Sequence, residues 1–104
     1  ADLTNNQVGE SSDSVRQRVI RAREIQYQRQ GKTNAKLLPS ELDTLAQIDD
    51  EAKQALAQML EKLSLSARSF HRILRVSRTL ADLAGDTVVT RGHVLQAIGF
   101  RRAI

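Results

Sequence analysis

Arg68, His71, Arg72, Arg75 and Arg78 recur along one segment of the chain. At about 100° per residue they fall within about 120° on one side of a helix, opposite Phe70, Ile73, Leu74, Ser77, Leu80, Ala81 and Ala84. A guanidinium stays charged and offers a rigid fork of donors, so a row of them suits phosphate or carboxylate. Three readings are open. The row is a solvated basic face, or a track of contacts to nucleic-acid phosphates, or it starts with an arginine that reaches an anionic ligand held by a neighbouring domain.

A second stretch invites phosphate chemistry. Gly31-Lys32-Thr33 has the ending of a G-x-x-x-x-G-K-[ST] phosphate loop. That loop needs a glycine five residues earlier, where this chain has Gln26, and a strand before it, where "VRQRVIRAREIQYQRQ" reads as helix. Gly31 is therefore expected to be a helix C-terminal glycine in the left-handed conformation. His71 and His93 are far apart with no acid at ligand spacing, so no metal site is expected. His93 reads as a surface or partly buried imidazole. The serines show no nucleophile–base pattern, and Asp49, Asp50 and Glu51 read as helix N-terminal charges. The chain by itself is not expected to be an enzyme.

The elements that must position these residues are helical. One proline, five glycines and 3% aromatic residues in 104 argue against many short strands. "ADLTNNQVGESS" is polar without periodicity, and residues 1–12 are expected to be a flexible linker. Ser12 or Ser14 is placed to cap a helix over about residues 14–30, with Val15, Val19, Ala22 and Gln26 on one narrow stripe. A helix with so few core residues is expected to lean on something beyond its own domain. Pro39 opens a short helix that buries Leu42 and Leu45. Asp49 caps "DEAKQALAQMLEKL", with Ala52, Leu56, Met59, Leu60 and Leu63 at helical spacing. Ser66 caps and Gly85 ends the arginine-bearing helix, and Thr90 caps a last one carrying Val94, Leu95, Ala97 and Ile98. The fold class is all-α: a small bundle of four helices plus one short helix over residues 13–102.

Charge is segregated along the chain. The formal net charge is +4, but residues 15–36 carry +6, residues 37–65 carry −4 and residues 66–104 carry +5. Alternating basic and acidic segments suit intramolecular pairing as well as a polyanion, so the basic balance favours a nucleic-acid partner only weakly. The chain has no cysteine, and no apolar run approaches the roughly 20 residues of a membrane span. The start, Ala1 rather than Met and without signal-peptide character, points to a cytoplasmic fragment of a longer protein.

The ordered set "RQRVIRAREIQYQRQ", "NAKL" and "LSARSFHRILRVSRTLADLAGDTVVTRGHVLQAIGFR" resembles the C-terminal domain of magnesium-chelatase-like AAA+ ATPases, in particular the bacterial competence protein ComM group. The likeness covers roughly residues 10–102. It implies the helical lid behind a nucleotide-binding core that is absent from these residues. In that family the lid supplies a sensor 2 arginine in an S-x-R context. Ser66-Ala67-Arg68 puts it at Arg68, expected to contact the γ-phosphate and couple nucleotide state to lid angle. Arg72, Arg75 and Arg78 continue the row as possible accessory or interface residues. The resemblance further implies ATP and Mg2+ as cofactors of the full-length protein, none for the isolated domain. Its implied partners are the AAA+ core of the same chain, neighbouring subunits of a homo-hexameric ring, and DNA undergoing branch migration during natural transformation. No membrane partner is implied. The alternative from the residues alone is a freestanding DNA-binding module using Arg68, Arg72, Arg75 and Arg78 on phosphates.

Overall fold

The computed structural model describes residues 11–103, with side chains through residue 100. The first ten residues of the expected linker lie outside that range. Ser11 and Ser12 do not belong to a linker: Ser11 is an N-cap, its hydroxyl accepting the Ser14 N–H at 3.1 Å, and helix α1 runs over Ser12–Gln30. The cap falls one residue ahead of the sequence expectation because Ser11 keeps an extended backbone, which leaves its oxygen facing the first free N–H groups. Gly31 ends α1 at φ 76, where a side chain would be strained, and its N–H donates to Tyr27 O.

A 3-10 turn over Asn34–Lys36 leads to α2, Pro39–Leu45, with Pro39 at its first position. Then follow α3 (Asp50–Lys62), α4 (Ala67–Ala84) and α5 (Arg91–Ala103). The expected architecture of four longer helices and one short one is the observed one. No strand is present among the described residues, but the α4–α5 connection is pinned by a parallel bridge between Ile48 and Val89. Val89 N–H donates to Gln47 O at 2.9 Å and Asp49 N–H to Val89 O at 3.1 Å. Gln47 adopts φ 53 to present that carbonyl, a conformation that non-glycine residues hold only when neighbours fix it.

α4 is the central element, packing against α1, the 3-10 turn, α2 and α5, while α3 packs on α5. One core joins Leu37, Leu42 and Ala46 to Ala52, Ala55 and Leu56 of α3, Ile73, Leu74 and Ala81 of α4, and Val94, Ala97 and Ile98 of α5. Each fully buried leucine contributes about 1.5–3 kcal/mol of transfer free energy. That stripe follows the sequence pattern, with departures at its edges: Leu60 and Leu95 are exposed and Met59 is half-buried. α1 departs most. Val15 and Val19 are exposed, and only Ala22 and Gln26 of its stripe are buried.

Asp49 caps α3 by accepting the Ala52 N–H at 2.8 Å, and Ser66 caps α4 by accepting the Ser69 N–H at 3.2 Å. At α5 the bond recorded runs the other way: Thr90 N–H donates to His93 Nδ1 at 2.9 Å. Because an N–H must donate, Nδ1 is the unprotonated nitrogen, and Nε2–H donates to Asp86 at 3.0 Å. His93 is thus a strut across the α4–α5 connection. The cap at Ser66 fixes the turn that carries Arg68. Ser66→Ala should cost about 1 kcal/mol, measured as a lowered urea midpoint with an unchanged slope.

Candidate functional site

The arginine row divides into two halves with different fates. At its C-terminal end Arg78 is 1% exposed. Its Nη1 donates to Ala46 O at 2.8 Å and Thr87 O at 2.9 Å, and its Nη2 to Asp86 O at 2.8 Å. Nη2 also lies 3.0 Å from Asp82 Oδ1, one helical turn on. Ala46 is the C-cap of α2, so its carbonyl belongs to the negative end of that helix and suits a guanidinium. Nε of Arg78 is buried without a hydrogen-bond partner. Burial lowers the pKa of Arg78 and the Asp82 carboxylate opposes that shift.

Asp82 is the anion at the centre of a polar cluster. Arg29 of α1 grips it with two bonds, Nη1 to Oδ1 at 2.9 Å and Nη2 to Oδ2 at 3.1 Å. Asn34 Nδ2 donates to Oδ2 at 3.0 Å and to Thr79 Oγ1 at 3.1 Å. Asn34 Oδ1 accepts from Gln30 Nε2 at 2.8 Å and Arg29 Nη2 at 3.0 Å, and its backbone N–H donates to buried Gln26. All four side-chain positions of Asn34 are used, as a buried amide requires. Burial raises the Asp82 carboxyl pKa. Hydrogen bonds from Arg29 and Asn34, with the charges of Arg78 and Arg29, outweigh burial and hold it below the ordinary carboxylate range.

Arg75, half-buried, straps the 3-10 turn to α4 by donating Nε to Asn34 O at 3.1 Å and Nη2 to Leu37 O at 2.8 Å. One expectation changes: Arg78 does not lie on a face opposite the core; it is inside the core's polar seam, its Nη atoms held by carbonyl oxygens and Asp82. Arg75 has two of its three nitrogens on carbonyl oxygens and is half-buried. His71 is likewise a strut, with Nδ1 2.9 Å from Ala67 O and Nε2 3.1 Å from Asp43 of α2.

What remains of the row is Arg68 and Arg72. Both are exposed, and neither makes a hydrogen bond or ion pair among the described residues. Arg68 stands in the first turn of α4, next to its N-cap, where four backbone N–H groups lack helical acceptors and the helix dipole is positive. The two exposed arginines add positive charge to that end, which suits an anion.

Gly31-Lys32-Thr33 has no phosphate-binding geometry. Gly31 stops α1, Lys32 Nζ pairs with Glu41 at 2.9 Å, and Lys32 O accepts from Gln30. Glu41 also accepts the Leu38 N–H that opens α2, and this bond, then the one from Lys32, lowers its pKa. Among the described residues no group of three or more His, Cys, Asp or Glu could hold a metal ion. A shallow depression lined by Glu51, Gln54, Gln58 and Arg91 is polar but gathers no nucleophile with a base.

Sequence reasoning missed the seam of Arg29, Asn34 and Asp82. Two signals for it were present: Asp82 lies four residues after Arg78 within an apolar run, and Gln26 sits on the apolar stripe of α1. Neither reveals that Arg29, 53 residues from Asp82, is the second cation.

The family described as "Magnesium chelatase, subunit ChlI C-terminal" matches residues 9–101. The chain is 43% identical over 96 residues to "Competence protein ComM" of Haemophilus influenzae, covering 92% of this chain and 19% of that protein. It is 41% identical over 93 residues to "Uncharacterized protein YifB" of Escherichia coli, covering 89% and 18%. A relative from Mycobacterium tuberculosis is 39% identical over 98 residues, covering 90% and 20%. The chain thus spans about a fifth of the length of the curated relatives it matches. With a family match over nearly all its residues and an all-helical bundle to fit, the chain belongs to the magnesium chelatase subunit ChlI C-terminal family.

Proposed function

We propose that this chain is the C-terminal lid of a magnesium-chelatase-like AAA+ ATPase and that Arg68 is its nucleotide-sensing, sensor 2 arginine. The observation that carries this reading is the division of the arginine row. Arg75 and Arg78 are consumed internally, whereas Arg68 is exposed and unpaired on a capped, rigid helix start. A guanidinium held there fits a triphosphate presented by a separate core domain. Mg2+ would be held by that core and the nucleotide, since the described residues offer no set of acids for it. ATP, when bound, supplies the γ-phosphate whose presence Arg68 reads; this chain supplies the cation and the rigid element that transmits its position.

The parent is then a cytoplasmic ring motor, homo-hexameric as in the AAA+ pattern, with DNA branch migration in competence as its task. The word competence in the name of the Haemophilus relative supports the competence part of that assignment alone. In the alternative reading, a DNA-tracking module, buried Arg78 is lost to phosphates and half-buried Arg75 has two nitrogens on carbonyl oxygens, so Arg68 and Arg72 would carry most of the contact. The test is Arg68→Ala in the full-length protein, assayed for ATP hydrolysis beside Arg72→Ala. A lid loses turnover with Arg68 alone. A phosphate track loses DNA affinity about equally with either and keeps its ATPase.

A further inference from the structure

α1 is the helix that the fold covers least. Of its 19 residues only Ala22 and Gln26 are buried, and Val15, Val19, Ile20, Ile25 and Tyr27 are 37–55% exposed. Its polar attachments include the grip of Arg29 on Asp82 of α4 and the bond that Gln26 accepts from the Asn34 N–H of the 3-10 turn. One exposed face is ordered. Arg16, Ile20, Arg23 and Tyr27 recur at intervals of four, three and four residues. They fall within about 60° of each other and about 110° from the Ala22–Gln26 side. Arg16 and Arg23 make no hydrogen bond or ion pair among the described residues. Asp13 and Glu24 lie only at the edge of this face.

We propose that the Arg16–Ile20–Arg23–Tyr27 face of α1 docks an acidic amphipathic helix supplied by the part of the polypeptide outside these residues. The proposal rests on reading the chain as one domain of a longer protein, about four-fifths of which lies elsewhere if its length follows its relatives. Charge and shape select the occupant. Guanidiniums spaced one heptad apart match carboxylates at the same spacing, and Ile20 and Tyr27 between and beyond them need apolar partners in the same groove. Nucleic acid would satisfy the arginines but gives nothing to Ile20. A second copy docking through this face would gather four guanidiniums at its centre, with the carboxylates of Asp13 and Glu24 only at its edge.

The test is amide hydrogen exchange on the full-length protein without nucleotide. Residues 15–28 should exchange at least tenfold more slowly in the wild type than in the Arg16→Glu/Arg23→Glu double variant or in Ile20→Ser, with α3 and α5 unchanged. Arginine and glutamate have similar helix propensities, so weaker protection in the double variant reflects lost docking and not a weaker helix. Equal exchange in wild type and both variants overturns the proposal. Protection that grows with protein concentration overturns it in favour of a second copy. Protection that appears only with an added single-stranded oligonucleotide overturns it in favour of nucleic acid. The Arg68 reading is tested separately by ATP hydrolysis, so a lid that senses nucleotide with an uncovered α1, or a covered α1 in a protein indifferent to Arg68, tells the two apart.

Discussion

Asp82→Ala should lower the unfolding free energy by about 3–5 kcal/mol, the cost of removing one partner from a buried ion pair. Two guanidiniums, Arg29 and Arg78, would be left facing each other without an anion, and Asn34 would lose an acceptor. The loss should not be uniform. Arg78 keeps three backbone carbonyls, whereas Arg29 keeps only side-chain partners, Asn34 and Gln30. α1 contributes a single buried apolar side chain, Ala22, so little else holds it to α4. Undocking of α1 relieves one of the two stranded charges, and it is expected before the rest of the bundle unfolds. Urea denaturation followed by hydrogen exchange reads both parts: a reduced midpoint, and protection of residues 22–30 lost while α3, α4 and α5 stay protected. A stability change below about 1 kcal/mol, the range of exposed pairs, would mean that the seam is in effect a surface interaction.

The same carboxylate sets an acid limit. Its folded pKa lies below the unfolded value of about 3.9. The unfolded chain therefore binds this proton first, so the contribution is complete above that value and is lost as pH falls through the folded pKa. Wild-type stability should fall below about pH 4, and Asp82→Ala should lack this component of the acid limb.

Arg68→Ala in the full-length protein should lower ATP turnover by about a hundredfold or more, the scale of removing one fixed donor from a developing phosphate charge. Arg72→Ala should change it far less, because Arg72 lies one turn further from the helix start. The variant should fold as the wild type does, since Arg68 is exposed and makes no bond among the described residues. Unchanged thermal stability with lost turnover is the paired result that identifies a sensing residue. Unchanged turnover would remove the lid's claim on nucleotide and leave α4 a structural helix with a solvated end.

Most of the helix plan was legible in the sequence because its causes are local. Gly31 and Gly85 end helices by adopting φ 76 and 78, Asp49 and Ser66 cap them through oxygens within three residues, and Pro39 starts one. Leu42, Leu56, Leu74, Val94 and Ile98 are buried because helical spacing puts them on a common side.

The fate of the arginines was not legible in this way. Helical periodicity puts Arg78 on the same side as Arg68, and only the packed fold brings Ala46, Thr87 and Asp82 around it. A charged side chain can be buried only where anions and carbonyls from several segments converge, and convergence across 53 residues leaves no period to read. The exposure of Val15 and Val19 is of the same kind. Their spacing specifies a stripe, but whether a stripe is covered depends on which neighbour arrives, and in α1 the neighbours reach only Ala22 and Gln26. Sequence by itself determined the helices, their ends and the apolar side of each. Tertiary structure decided which charges hold the bundle together and which, at Arg68 and along the outer face of α1, stay exposed.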